Sequence, residues 1–152
     1  MKIKDVVEQD LDEITRLERE VFKDNAFSRN FFLKYVKNYI FFLKLEKGIF
    51  NKKILGFIIV IKDDDERVNI INYLIDSKYQ NKGFGTLLLE DTLKKILGLK
   101  KFKKIILNVR TTNTIALKIY KKFNFKIVKE INNYYANSQS SYLMKKEIIC
   151  NE

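Results

Sequence analysis

The chain has 152 residues, 46% of them hydrophobic, with twelve Phe and eight Tyr, a length and apolar content that suit one α/β domain spanning residues 1–152 with a substantial core. It holds no histidine and a single cysteine, Cys150, so zinc sites, histidine-based triads and intramolecular disulfides have no residues to draw on, and no metal is expected. The net charge of +11 comes from lysines scattered along almost the whole chain, which reads as compositional bias rather than a nucleic-acid surface; no apolar run approaches the roughly 20 residues of a membrane span, and the N-terminus lacks the apolar stretch of a signal peptide, which places the protein in the cytoplasm.

In chain order, the alternation of "MKIKDVV" reads as a first strand. Asp10 opens a helix whose apolar face is Leu11, Ile14, Leu17 and Val21, and Asp10 with Glu13 makes a capping-box pattern. Ser28 is placed to cap a second helix, "RNFFLKYVKN". The runs "YIFFLKLEKG" and "KKILGFIIVIK" read as strands joined through a hairpin at Gly48 to Asn51, and "RVNIINYLI" follows the charged turn "DDDE" as another strand. An amphipathic helix carrying Leu87, Leu88, Leu93, Ile96 and Leu97 comes next, with Gly98 as its expected stop. "KIILNV" is a buried strand, Asn113 is positioned to cap the helix "TIALKIYKKF", and Asn124 sits where a left-handed residue belongs. "FKIVKEI" and "SYLMKKEII" are the last strands, separated by the polar loop "NNYYANSQS". The order is β-α-α-β-β-β-α-β-α-β-β, and a mixed sheet with helices on both faces fits it.

Five glycines serve the whole chain, and two of them stand one residue apart in "YQNKGFG", where a strand gives way to a helix. A helix N-terminus presents unpaired N–H groups and the positive end of the macrodipole, so anions bind there. Gly83 and Gly85 remove side chains that would hold an anion away, and Lys82 adds a positive charge. The spacing is neither the P-loop G-x-x-x-x-G-K-[ST] nor the dinucleotide G-x-G-x-x-G. It is Q-x-x-G-x-G, at Gln80, Gly83 and Gly85.

In this setting "YLIDSKYQNKGFGTLLLEDTL" resembles the acetyl-CoA-binding motif of the GNAT superfamily of N-acetyltransferases. "LNVRTTNTIALKIYKKFNF" resembles the family's next strand and helix, and "NNYY" with the early "DLDEITRLEREVF" resembles its ribosomal-protein alanine N-acetyltransferase (RimI-type) branch. The resemblance spans essentially the whole chain. It implies a single mixed, mostly antiparallel sheet of about seven strands flanked by about four helices, with acetyl-CoA as co-substrate. It places coenzyme contacts at Leu74 and Ile75 on the strand, at Gln80, Asn81, Lys82, Gly83, Phe84, Gly85 and Thr86 in the turn, and at Asn113 and Tyr120. It places the acceptor at Phe27, Asn72, Tyr73, Tyr134 and Tyr135.

Acetyl transfer to an amine needs a held thioester, a neutral amine and a protonated leaving thiolate. The resemblance points to Tyr120 as the acid, and a phenol near pKa 10 is able to serve a thiolate whose acid lies near 8.5. RimI-type enzymes carry a glutamate base at the position of Asn108, and some relatives use a second position that corresponds to Asn69. Neither amide takes a proton. That leaves a water chain, another carboxylate such as Glu18 or Glu20, or a protein that is not a catalyst. At pH 7 roughly a tenth of an α-amine (pKa near 8) is neutral against about 0.04% of a lysine (pKa near 10.4), so a poor base favours N-terminal acceptors. The reading is therefore an acetyltransferase acting on a protein or peptide N-terminus, as a monomer or homodimer. Small-molecule amine acetylation and a non-catalytic coenzyme-A-binding module are its alternatives, and a nucleic-acid binder ranks last.

Overall fold

The computed structural model describes residues 1–132 and 139–148. Among them the chain forms seven strands and four α-helices in the expected order. These are β1 (Lys2–Asp5), α1 (Leu11–Phe22), α2 (Arg29–Lys37), β2 (Phe41–Lys47), β3 (Lys53–Asp64), β4 (Arg67–Ile75), α3 (Phe84–Gly98), β5 (Lys104–Arg110), α4 (Thr114–Lys122), β6 (Lys126–Ile131) and β7 (Ser141–Glu147). The strands make one sheet in the order β1-β2-β3-β4-β5-β7-β6. Every neighbouring pair is antiparallel except β4 with β5. No helix among the described residues is long and apolar enough to cross a membrane.

Period-two alternation sorts the apolar residues onto two faces. Phe42, Ile54, Phe57 and Ile59 join Leu11, Ile14 and Leu17 of α1 and Phe32 of α2 in one core cluster. Leu43, Leu45, Leu55, Ile58 and Val60 join Leu88, Leu89, Leu93 and Ile96 of α3 and Leu117 of α4 in the other. Each such side chain contributes about 1.5–3 kcal/mol on burial, so the two clusters fix both helix pairs against the sheet.

Local signals account for most boundaries. Ser28 Oγ accepts the Phe31 N–H (3.3 Å) at the start of α2, and Asn113 Oδ1 accepts the Ala116 N–H (3.2 Å) at the start of α4. Asn124 is left-handed, with φ 68. One expectation fails. Asp10 and Glu13 form no capping box. The Asp10 carboxylate instead accepts the Val7 N–H three residues back and the distant Lys44 ammonium, and Glu13 Oε1 accepts the distant Ile54 N–H, so neither is left for the helix start. α3 ends at Gly98 as expected, but not through a left-handed glycine: the positive φ falls at Lys100, with φ 53. The N–H groups of Leu99 and Lys100 take the Ile96 and Leu97 carbonyls there, so the helix end is satisfied by backbone.

Two irregularities in β4 create the site. Its parallel pairing with β5 ends at Ile70 opposite Leu107. Beyond that point β5 pairs only with β7, so the two central strands part and leave their facing backbone groups open. A bulge also lies in β4: Ile59 of β3 opposes Asn72, yet Val60 opposes Ile70, leaving Ile71 as the extra residue. Before the bulge Val68 and Ile70 face α3 and α4; after it Leu74 faces α1 and α2, while Tyr73 and Ile75 face the α3 side.

Candidate active site

A cavity of about 340 Å³ opens between the end of β4, the start of α3 and the first turns of α4. Gly83, the residue before α3, holds φ 87, which suits glycine, and a Cβ there would point into open space. Gly85, in the first turn, could not carry a Cβ without meeting the Tyr73 hydroxyl at 2.6 Å. The turn is held from within. Gln80 Nε2 donates to the Ile75 carbonyl (2.9 Å), and the Asp76 carboxylate accepts the Lys78 N–H (3.0 Å). Unpaired first-turn amides of a fifteen-residue helix, opened by glycine, form a cradle suited to an anion. The open edge of Leu74 and Ile75 lines the same lobe, ready to pair with an extended amide-bearing arm.

Of the residues the sequence placed on the coenzyme, Leu74, Ile75, Gln80, Asn81, Gly83, Gly85, Thr86 and Asn113 line this lobe. Lys82 and Phe84 do not. Phe84 packs beside Tyr79 (6.4 Å between ring centres), half-buried against the core, and the exposed Lys82 ammonium lies 5.6 Å from that ring. Lys47 and Lys53 stand over the same ring at 4.6 and 5.1 Å. Lys47, with Lys53 behind it, holds the Tyr79 phenol below its ordinary range, and the group makes an electropositive rim beside the turn.

A second cavity, of about 580 Å³, adjoins the first and shares Phe22, Tyr73 and Asn113 with it. Tyr120 is found here rather than in the first lobe. Its ring is 5.8 Å from that of Tyr73 and 5.7 Å from that of Phe125, and the residue is buried. Phe27 lines this lobe at its exposed edge, stacked on Phe31 at 3.9 Å. Asn69, Asn72, Tyr73, Asn108 and Arg110 supply its polar wall. The Asn108 side-chain oxygen and the Tyr73 hydroxyl are buried with no hydrogen-bond partner among the described residues. Tyr134 and Tyr135 lie outside the described residues.

Burial drives the Tyr73 phenol well above its ordinary range, so it stays neutral. Of the two glutamates singled out in the sequence, Glu20 is exposed and paired with Arg16 (2.8 Å). Glu18 is buried and lines the second lobe. Its Oε2 accepts the Asn72 amide (2.8 Å) and its Oε1 the Phe27 N–H (3.2 Å). Desolvation pushes its carboxyl up to about 7, against the opposing pull of Asn72, Phe27 and Arg110. The sequence reading missed Phe22, common to both lobes, and Arg110, which alternation along "LNVR" puts on the same side of β5 as Asn108.

The sequence pattern of the Acetyltransferase (GNAT) family matches residues 8–125. The chain belongs to the GNAT acetyltransferase family. This GNAT chain is 29% identical to an N-alpha-acetyltransferase of Sulfolobus acidocaldarius over 150 residues, covering 89% of the chain and 85% of that protein. Among solved structures it is similar to the ribosomal-protein-S18-alanine N-acetyltransferase of Escherichia coli, with TM-score 0.84, 22% identity and coverage of 99% and 96%. It is also similar to Arabidopsis thaliana NAA60 in complex with acetyl-CoA, with TM-score 0.84, 18% identity and coverage of 97% and 99%. The GNAT architecture read from the sequence is the one observed.

Proposed function

We propose that this protein, acting in the cytoplasm, transfers the acetyl group of acetyl-CoA to the α-amine of a protein or peptide N-terminus. The observation that carries the reading is the two-lobed cleft across parted strands: an anion cradle with an open strand edge on one side, and on the other a lobe walled by amides, phenols and one buried carboxylate. The similarity to an archaeal N-alpha-acetyltransferase along most of both chains supports the acceptor class.

The coenzyme supplies an acetyl thioester. The amides of Gly83, Gly85 and Thr86 would hold its pyrophosphate, and the backbone of Leu74 and Ile75 would pair with the arm that carries the thioester. A β4 amide there donates to the carbonyl oxygen as charge builds on it. Tyr120 Oη gives a proton to the departing sulfur. Phe27, Asn72 and Tyr73 orient the amine. Because the lobes adjoin at Phe22, Tyr73 and Asn113, donor and acceptor each occupy their own lobe and meet there.

The test is thiol release from acetyl-CoA against peptides with free Ala, Ser, Thr and Met N-termini, N-blocked lysine peptides and spermidine, with products identified by mass. N-terminal acetylation is expected, favoured at pH 7 over lysine by about two hundredfold from the neutral-amine fractions alone. Faster turnover of a lysine peptide or of spermidine would refute it.

A further inference from the structure

Both positions at which the resemblance expects a base hold amides, Asn108 and Asn69. We propose that the base is Glu18, a carboxylate on α1 that reaches the acceptor lobe from the opposite face of the sheet and is aimed by Asn72. The inference rests on the acceptor reading above.

The geometry carries it. Glu18 and Asn72 are 54 positions apart and joined at 2.8 Å. The β4 bulge at Ile71 is what turns Asn72 toward α1. Glu18 is 1% exposed yet lines the lobe. Its two oxygens accept one hydrogen bond each, from Asn72 and from the Phe27 amide. A carboxylate has about four acceptor sites, so each oxygen keeps one for an incoming ammonium or a single bridging water. No salt bridge engages it among the described residues. An unpaired buried carboxylate is costly to a fold and is found where its proton affinity is used.

The groups facing it come from every wall of the lobe: Arg110 on β5, Asp24 at the exposed rim after α1, Tyr35 on α2, Tyr73 on β4 and Tyr120 on α4. Arg110 attracts, and burial keeps the Tyr73 phenol neutral. The burial of Glu18 outweighs that attraction and sets its carboxyl at about 7. Moving a proton from an α-ammonium near pKa 8 to such a group is about tenfold uphill, against more than a thousandfold for an ordinary glutamate.

The proton count closes. Glu18 takes one proton from the α-ammonium, and the freed nitrogen lone pair forms the new N–C bond as the C–S bond breaks. The sulfur keeps that bond's electron pair and receives a proton from Tyr120 Oη, which is reprotonated by the second proton leaving the nitrogen. Glu18 then returns its proton to solvent. Ammonium and thioester thus become amide, thiol and one free proton.

Two measurements on the full chain decide it. In protein carrying carboxyl-13C glutamate, the Glu18 signal, identified by its loss in Glu18→Gln, is expected to titrate near 7. A midpoint in the ordinary range near 4.3 would overturn the proposal. With the best N-terminal peptide, wild type is expected to show an ascending kcat/KM limb near 7. Glu18→Gln should keep acetyl-CoA affinity within about twofold and lose 100-fold or more in kcat, its limb moving to the amine's own ionisation, with partial recovery in Glu18→Asp. An unchanged kcat and limb in Glu18→Gln, or a loss confined to KM, would make Glu18 a structural acceptor only. If wild type acetylates no α-amine peptide, the acceptor reading falls, and the titration still judges Glu18.

Discussion

Replacing Gly85 by alanine sets a test of how the two lobes are walled. The added Cβ would lie 2.6 Å from Tyr73 Oη and 3.4 Å from Ile119 Cδ1 and Ile75 Cγ1. Contact at 2.6 Å is about 1 Å inside the van der Waals optimum, so the phenol must move. Its ring is fixed on one side by Tyr120 at 5.8 Å, which leaves displacement into the cleft. Overpacking of this kind costs about 1–3 kcal/mol, a fall in Tm of about 2–12 °C for a chain of this size. The coenzyme lobe narrows with it, so acetyl-CoA binding weakens as well. Tyr73→Phe removes the atom the methyl meets, and because that hydroxyl has no partner among the described residues, its loss is expected to be neutral or stabilising. The double variant Gly85→Ala/Tyr73→Phe should therefore regain most of the lost stability and affinity. Urea unfolding and calorimetric titration with acetyl-CoA measure the cycle. A coupling of 1 kcal/mol or more is expected; effects that add to within about 0.5 kcal/mol would refute the steric argument.

Two further outcomes are expected. Glu18 is raised from its ordinary range to about 7 in the fold, so between those values the folded state binds more protons than the unfolded one and stability falls as pH rises. The loss approaches about 3 kcal/mol between pH 4.5 and 8, with no histidine in the chain to mask it. Urea midpoints across that range should slope for wild type and flatten for Glu18→Gln; equal slopes would refute the shift. Lys44 is nearly buried between Asp10 (2.8 Å) and Glu46 (3.3 Å). Lys44→Met leaves those carboxylates without their shared cation and should cost about 3–5 kcal/mol, relieved at acid pH, whereas a variant as stable as wild type at pH 8 would show the cluster to be dispensable.

Wherever physics within a few residues decides, the sequence was sufficient. The apolar periods of the first helix and of β3, the caps at Ser28 and Asn113, the left-handed Asn124 and the glycine turn all answer to local backbone chemistry, and together they set the element order and the anion cradle. Where long-range competition decides, it was not. Asp10 and Glu13 have a capping-box spacing, but Lys44 and the Ile54 amide claim their carboxylates. The most consequential case is "RVNIINYLI". Strict alternation would put residues 68, 70, 72 and 74 on one face, and nothing in the letters marks Ile71 as a bulge. Sheet register inserts it, the parting of β4 from β5 opens the space beyond, and only then do Asn72 and Glu18 meet. A carboxylate's proton affinity depends on what surrounds it, and that enclosure exists only once the sheet and α1 have packed together.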